Sequence, residues 1–461
     1  MHPAKMTRAE RRATISLSAI MGLRMIGLFM VLPVFSLYAT GLTGSTPLLV
    51  GIAMGVYGLS QAIFQITFGM LSDRYGRKPA ILVGLIIFAA GSIIAGTATS
   101  ISIMIVGRTL QGVGAIGSTT MALLADLTRE EQRTKSMMVA GLTIGFSFSV
   151  AMLLGPLLTP WVSVHGLFYI AAIMAAVAAL LLFIYVPTPV TLRWHRDTEP
   201  ELKSVTRLLF VPDLARLNAG IFILHAIFTA SFIIIPISLH QYSGLASSRQ
   251  WEIYLPALLT ALVVCMICIG MAERKQQIKG YFLGGILAIA ASQLILWLGA
   301  HNLYTITFGI AVFFAGFTIL EGFLPSLISR TAPASCKGSA MGIYSCAQYS
   351  GIFAGGVIGG WIYSQYHFSG VYLLCITLAL FWFTLACFMR QPRYLVTEVI
   401  RLTPAQQTHW QSIAAKLQQV AGMVEATLVA EDNLAYVKME RKTRQDPDFI
   451  RIKEQLQLIN S

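Results

Sequence analysis

Twelve apolar stretches recur along the chain, at about 15–39, 47–71, 80–98, 101–125, 136–158, 165–186, 214–239, 251–271, 281–299, 303–329, 338–361 and 369–389. About 20 mostly apolar residues suffice to cross a bilayer as a helix. In hydrocarbon each backbone N–H and C=O must find its partner within the segment, so such stretches fold as α-helices. The composition points the same way. Of 461 residues, 56% are hydrophobic and 11% charged, whereas soluble domains are roughly a quarter charged. Most of the surface therefore faces lipid. A length that would suit about three soluble domains reads instead as one large membrane body.

An even number of spans returns the chain to its starting side. Loops on that side hold Arg74, Arg77 and Lys78; Arg129, Arg133 and Lys135; Arg193, Arg196, Lys203 and Arg207; Arg274, Lys275 and Lys279; and Arg330 with Lys337. The N-terminal tail adds Lys5, Arg8, Arg11 and Arg12, and the opposite loops hold almost no Lys or Arg apart from Arg249. Basic loops stay in the cytoplasm during insertion, which predicts that both termini are cytoplasmic. The same distribution accounts for the net charge of +13, so no nucleic-acid partner is expected. Six cysteines lie among or beside apolar runs, and Cys265 and Cys268 form a C-x-x-C within LVVCMICIG. That setting reads as buried thiols, because it lacks the strand-to-helix surroundings of a redox pair. The first apolar run continues as a span, so no cleavable signal peptide is read.

The longest internal connection, 188–213, divides the spans six and six, into an N-terminal bundle (1–187) and a C-terminal bundle (214–390). Its Arg, Glu and Pro content predicts an exposed linker with an interfacial helical part. Two such halves, with a binding site between them near the bilayer midplane, are a recurring transporter plan. GMLSDRYGRK follows the second span and GMAERK the eighth, a degenerate internal repeat. Beyond residue 390 the charge balance changes: 1–390 carry 24 Lys and Arg against 12 Asp and Glu, while 391–461 carry 9 against 8. Residues 394–401 alternate as a strand, and 404–420 read as a helix opening at Thr403-Pro404. Residues 423–430 and 434–440 read as strands around an Asp432-Asn433 turn, and 446–459 as a helix. The order βαββα is the ferredoxin-like pattern short of its last strand. The expected fold class is an all-α membrane protein with a small α+β ferredoxin-like cytoplasmic domain at 391–461.

The most specific motif lies between the second and third spans: Gly69-Met70-Leu71-Ser72-Asp73-Arg74-Tyr75-Gly76-Arg77-Lys78. It matches G-x-L-x-D-R-x-G-R-K, and its position after the second span also matches. The fourth span adds Arg108-Thr109-Leu110-Gln111-Gly112-Val113-Gly114, of the form R-x-x-Q-G-x-G. On these residues the body, 1–390, resembles the major facilitator superfamily. LRMIGLFMVLPV, FLPSLIS and the trailing α+β segment are similar to its YajR-type transporters, which carry a ferredoxin-like domain after the twelfth span. The resemblance implies a bacterial inner-membrane carrier that alternates between outward- and inward-facing states. In it, Gly69 allows close helix approach, and Asp73 sits at the N-terminus of the eleventh span near Lys337-Gly338-Ser339, where the helix dipole favours an anion. Arg77 pairs with Asp126. With Arg74, Gly76 and Lys78 these groups would latch the halves on the cytoplasmic side in the outward-open state. A topological role for the basic residues alone is the competing reading.

Three charges fall inside apolar spans: Arg24, Arg108 and Glu321. Each costs about 2.5–3.5 kcal/mol at a helix centre on insertion scales, so each marks a functional site by default. In the superfamily, spans one, four, seven and ten line the cavity, and these three residues belong to spans one, four and ten. Glu321 is the only carboxylate deep in the membrane. Desolvation disfavours its charged form and a nearby Arg favours it, the balance that a proton carrier needs. A structural ion pair with Arg24 or Arg108 is the alternative. Arg24 departs from many proton-coupled drug antiporters, which carry an acidic residue in the first span. It fits either an anionic substrate group or a modulator of Glu321. Arg108 resembles the motif arginine linked to proton transfer, with a structural bond to a backbone carbonyl as the alternative.

Gly155 and Pro156 in the fifth span, with Gly141 and Gly145, resemble the antiporter motif ending G-P-x-x-G-G, although Leu157-Leu158-Thr159-Pro160 replaces its last part. Gly155-Pro156 still provides a kink and close packing. Asn218 and His225 are seven apart on one face of the seventh span, and Gln61, Gln65, Gln111 and Gln348 offer neutral hydrogen bonds to a substrate. Phe and Tyr read mostly as packing and interface anchors. No Walker P-loop, metal-binding cluster or nucleophile elbow is present in the sequence, so neither ATP drive, a cofactor nor an enzymatic role is expected. The expected function is a secondary transporter, proton-coupled and exporting small molecules or drugs by alternating access. Its partners would be a small-molecule substrate, protons and the bilayer. It would act as a monomer, with a ligand or partner for the C-terminal domain. An exporter or facilitator of one metabolite remains open, as does a membrane-tethered sensor whose C-terminal domain binds the ligand.

Overall fold

The structure is a computed structural model that describes residues 6–187, 208–299, 302–333, 336–389, 395–402, 410–429, 434–440 and 443–458. Most of the 188–213 linker, the Thr403-Pro404 helix start and the Asp432-Asn433 turn lie outside the described residues. The membrane body contains α1 (Arg8–Phe29), α2 (Leu32–Ala39), α3 (Pro47–Tyr75), α4 (Arg77–Gly96), α5 (Ile101–Val113), α6 (Gly117–Asp126) and α7 (Glu130–Tyr185) in its first part. The second part contains α8 (Pro212–Ser243), α9 (Trp251–Arg274), α10 (Ile278–Leu298), α11 (Leu303–Thr331) and α12 (Lys337–Cys387).

Local chemistry sets the ends of these helices. Thr7 and Glu10 form a reciprocal capping box at the start of α1, which satisfies two otherwise orphan donors. Thr46, Ser100 and Asn302 cap α3, α5 and α11 through their side-chain oxygens. Gly76, at φ 99°, ends α3 and begins α4, a backbone turn that a residue with a Cβ adopts only under strain.

Among the described residues, ten helical stretches are long and apolar enough to cross a membrane, with α1–α2 and α5–α6 each counting as one. Two of the ten, Lys135–Tyr185 and Lys337–Cys387, run to 51 residues. A continuous helix of that length would be about 75 Å long, more than twice a hydrocarbon core. Each is in fact two helices joined across a kink, at Ser163 (φ 57°, ψ 176°) and at His367 (φ 52°, ψ −149°). The body thus has ten to twelve crossing helices. Their apolar residues form one continuous core, from Leu17 through Phe168 and Phe232 to Trp382.

The internal repeat runs further than the sequence suggested. Lys78 donates to the Val186 carbonyl at 2.7 Å, and Lys279 donates to the Cys387 carbonyl at 2.7 Å, each across 108 residues. Both lysines close a ten-residue segment that opens with Gly-Met, Gly69–Lys78 and Gly270–Lys279. The last carbonyls of a helix have no intrahelical donor and carry the negative end of its dipole, so an ammonium there satisfies both needs.

The C-terminal segment has the order β1 (Leu395–Arg401), α13 (Trp410–Gln418), β2 (Met423–Val429), β3 (Leu434–Glu440) and α14 (Pro447–Leu458). The strands form an antiparallel sheet in the order β1-β3-β2, with Val399 opposite Tyr436 and Ala426 opposite Val437. Ile400, Leu417, Ala435, Val437, Met439 and Phe449 make a small core of their own.

Candidate functional site

Glu321 lies on α11 and faces His225 of α8, with Oε1 3.6 Å from the His225 Nδ1. His225 is 8% exposed and the Glu321 side chain 31%. Gln348 of α12 approaches the other ring nitrogen, its Nε2 2.9 Å from the His225 Nε2. An amide nitrogen only donates. Donation from that amide nitrogen would leave His225 accepting at Nε2 as the neutral tautomer protonated on Nδ1. Both Glu321 Oε1 and His225 Nδ1 are buried without a hydrogen-bond partner. A polar trio from three helices of the second part thus surrounds a carboxylate that is partly open.

Aromatic rings wall this trio. His225 lies 5.7 Å from the Phe317 ring and 6.3 Å from that of Phe228. Phe148, on the first helix of α7, stacks on Phe317 at 6.1 Å and touches Phe228 at 5.8 Å. It also meets Phe29 of α1 edge-on at 5.3 Å, and Phe29 meets Tyr57 of α3. The rings therefore run without a break from the first part of the body to the second. Sequence reading treated these phenylalanines as packing. The available signal was the spacing Phe313, Phe317, Glu321 along α11, which places the rings and the carboxylate on one helical face.

Arg24 and Arg108 lie elsewhere, in the first part. Arg108, 4% exposed, donates Nε to the Ala53 carbonyl at 3.3 Å and Nη1 to Gln111 Oε1 at 2.7 Å, and stands 4.5 Å over the Tyr57 ring. Gln111 passes the contact on to Ser92 at 2.8 Å. Arg108 and Gln111 thus tie α5 to α3 and α4 and are committed inside the first part. Arg24, 2% exposed, donates to Gln61 Oε1 at 3.1 Å and lies 5.6 Å over Phe88. Neither arginine pairs with Glu321. Tyr349 of α12 lies within electrostatic reach of both Arg24 and Glu321.

Of the remaining pocket candidates, Gln65 Oε1 and Asn218 Oδ1 are buried and unpartnered, and Asn218 shares α8 with His225. A Cβ at Gly155 would fall 1.9 Å from the Met30 carbonyl oxygen, so this glycine sets the closest approach of α7 to α1. Thr159 donates to the Gly155 carbonyl at 2.6 Å, beside Pro156 within the same helix. Among the described residues, no group of three or more His, Cys, Asp or Glu suits a metal ion.

The signature loop is closed on itself. Arg77 pairs with Asp73, donates to Ser72 Oγ at 2.6 Å and reaches Asp126 Oδ2 at 3.3 Å. Ser72 in turn donates to the Gly69 carbonyl, and Arg74 lies over the Tyr75 ring. Among the described residues, no hydrogen bond or ion pair joins Asp73 to Lys337, Gly338 or Ser339; Asp73 is spent on Arg77 instead. In this state the loop belongs wholly to the first part of the body.

The sequence profile described as Major Facilitator Superfamily matches residues 17–356 and 279–426. The chain is 40% identical over 442 residues to the inner membrane transport protein YajR of Escherichia coli (strain K12), covering 96% of this chain and 97% of that one. It is 26% identical over 350 residues to the multidrug resistance protein MdtH of Shigella flexneri, covering 73% and 83%. Its fold is shared with a bacterial homologue of the human lysosomal transporter Spinster in an inward-facing, occupied conformation (TM-score 0.68, 13% identity, 84% of this chain and 97% of that one). It is shared too with a D-xylose–proton symporter (TM-score 0.65, 16% identity, 82% and 98%). With its ten to twelve apolar helices and its signature loop between α3 and α4, the chain belongs to the major facilitator superfamily of membrane transporters.

Proposed function

We propose that this chain is a proton-coupled exporter of small amphipathic molecules in the bacterial inner membrane, working by alternating access. Its twelve spans form two six-helix halves, both termini are cytoplasmic, and residues 391–461 form a ferredoxin-like domain. The names of the inner membrane and multidrug-resistance relatives support export. The βαββα order and the β1-β3-β2 sheet support the C-terminal assignment. The signature loop acts as the latch of the outward-open state, where Asp73 leaves Arg77 for the N-terminus of α12.

The observation that carries this reading is Glu321 itself. A carboxylate at membrane depth, with one oxygen buried and unpartnered and the side chain a third exposed, can exchange a proton with a water-filled cavity. Permanent charge there is costly, and a carboxyl that takes up and releases a proton carries it only part of the time. His225 Nδ1 stands 3.6 Å from Glu321, and the aromatic rings wall the pair. Substrate enters beside the rings and Glu321, and the two fluxes are coupled because the proton on Glu321 and the bound substrate favour different facing states.

The test is proton flux and substrate efflux in reconstituted vesicles under an imposed pH gradient. Glu321→Gln is expected to lose gradient-driven uphill transport while retaining downhill exchange. Uphill transport by that variant at the wild-type rate would refute the coupling role. A panel of unrelated substrates separates a broad exporter from one dedicated to a single metabolite.

A further inference from the structure

Arg24 is a buried charge that the fold leaves incomplete. It is 2% exposed, and a guanidinium has five donors, yet its one hydrogen bond is to Gln61 Oε1 and its Nε is buried without a partner. Its only other neighbour of this kind is the ring face of Phe88. Gln61 is 0% exposed and also incomplete: having turned its oxygen to Arg24, it leaves its Nε2 donor buried and unpartnered. Two adjacent buried groups therefore present donors and lack an acceptor.

Among the described residues, no carboxylate meets them. Among the described residues of the membrane body, the carboxylates in ion pairs are Glu10 with Arg129, Asp73 and Asp126 with Arg77, Asp213 with Arg216, Glu252 with Arg249 and Glu273 with Arg330, while Glu321 faces His225. Arg108 shows the contrast. It is buried to a similar degree in the same part of the body, but a backbone carbonyl and Gln111 satisfy it. A structural arginine is thus completed by the fold, and Arg24 is left open. Buried donors without acceptors are costly, and an unpaired buried cation more so.

We propose that Arg24 and Gln61 bind the anionic oxygen group of the transported molecule, a carboxylate or similar singly charged oxyanion on an aromatic or amphipathic body. This deepens the reading of the chain as an exporter by naming a substrate class, and it rests on that reading. A carboxylate is acceptor-only and takes several hydrogen bonds at once, which matches the free donors of Arg24 and Gln61. Its apolar body has the rings of Tyr57, Phe29 and Phe148 beside it, running towards Phe317. Tyr349 of α12, within electrostatic reach of Arg24, puts the second part of the body beside the same anion. Binding there touches both parts at once, as a substrate that promotes their rearrangement must.

The experiment measures equilibrium binding to purified full-length protein in detergent, independent of transport. The probes are 2-naphthoate, its uncharged amide 2-naphthamide, trimethyl(2-naphthyl)ammonium, and chloride alone. Wild type is expected to bind naphthoate about tenfold or more tighter than the amide. Arg24→Gln is expected to abolish that preference, Arg24→Lys to keep part of it, and Gln61→Leu to reduce it. Equal binding of acid and amide by wild type overturns the proposal, as does a preference that survives in Arg24→Gln, tighter binding of the ammonium probe, or protection by chloride equal to that by naphthoate. The wild-type comparison stands even if a variant fails to fold. If the naphthoate preference is found but no proton-driven flux is, the coupling reading fails and the anion site stands.

Discussion

The seam between α3 and α12 differs sharply at its two ends. Away from the chain termini, a Cβ on Gly51 would lie 2.0 Å from the Gly356 carbonyl oxygen, on Gly58 2.6 Å from that of Tyr349, and on Gly360 2.6 Å from that of Pro47. Near the termini, Gly69 on α3 and Gly338 and Gly342 on α12 have nothing within 4 Å of that position. Both ends are glycine-bearing, so composition alone does not distinguish them. One end has backbone against backbone, and at the other these glycines face open space. Glycine at the tight end removes the side chains that would hold two helices apart. At the other end it leaves room for an approach not made in this state, which agrees with Asp73 resting on Arg77 rather than on α12. The two ends thus differ in how closely the helix backbones approach at their glycines.

The largest expected effect breaks the tight end. Gly51→Leu overpacks a backbone contact, at a cost of about 1–3 kcal/mol, which lowers the closed population about five- to 150-fold. Transport should fall accordingly, and spin-label distances between α3 and α12 at that end should lengthen. Gly342→Leu, the same change at the other end, should leave those distances unaltered. Wild-type transport by Gly51→Leu would show that the seam does not have to close. A smaller effect sharpens the other end: Asp73→Asn is expected to reduce transport severalfold with normal membrane insertion, because the latched outward-open state proposed above uses that charge on α12. Normal transport by that variant removes the latch. The smallest effect concerns the lysine caps. Lys78→Met and Lys279→Met should each lose about 1 kcal/mol and lower the melting temperature by a few degrees. A loss confined to Lys78 would mean that the second copy of the loop has no structural role.

Much of the body was legible because its determinants are local. Apolar runs of span length, basic loops on alternate sides and the Gly69–Lys78 motif are properties of neighbouring residues. The doubled helices at Ser163 and His367 fall where the sequence had separated the fifth from the sixth span and the eleventh from the twelfth. The candidate site was half legible. Charge inside an apolar run singled out Arg24, Arg108 and Glu321, and helical spacing joined Asn218 to His225. Periodicity could not show that Arg108 is satisfied by Ala53 while Arg24 is not, since that depends on how α5 and α1 meet α3.

The sequence by itself determined the membrane class, the order of spans, the signature loop and the few ionisable groups placed in hydrocarbon, because hydrophobic length and backbone self-sufficiency act within a segment. Only the tertiary structure decided who meets whom: Arg24 with Gln61 across 37 residues, His225 with Gln348 across 123, and Cys346 with the Ala62 carbonyl across 284. Such pairings follow from the packing of whole helices, whose register is fixed by many weak contacts at once rather than by any residue's neighbours along the chain.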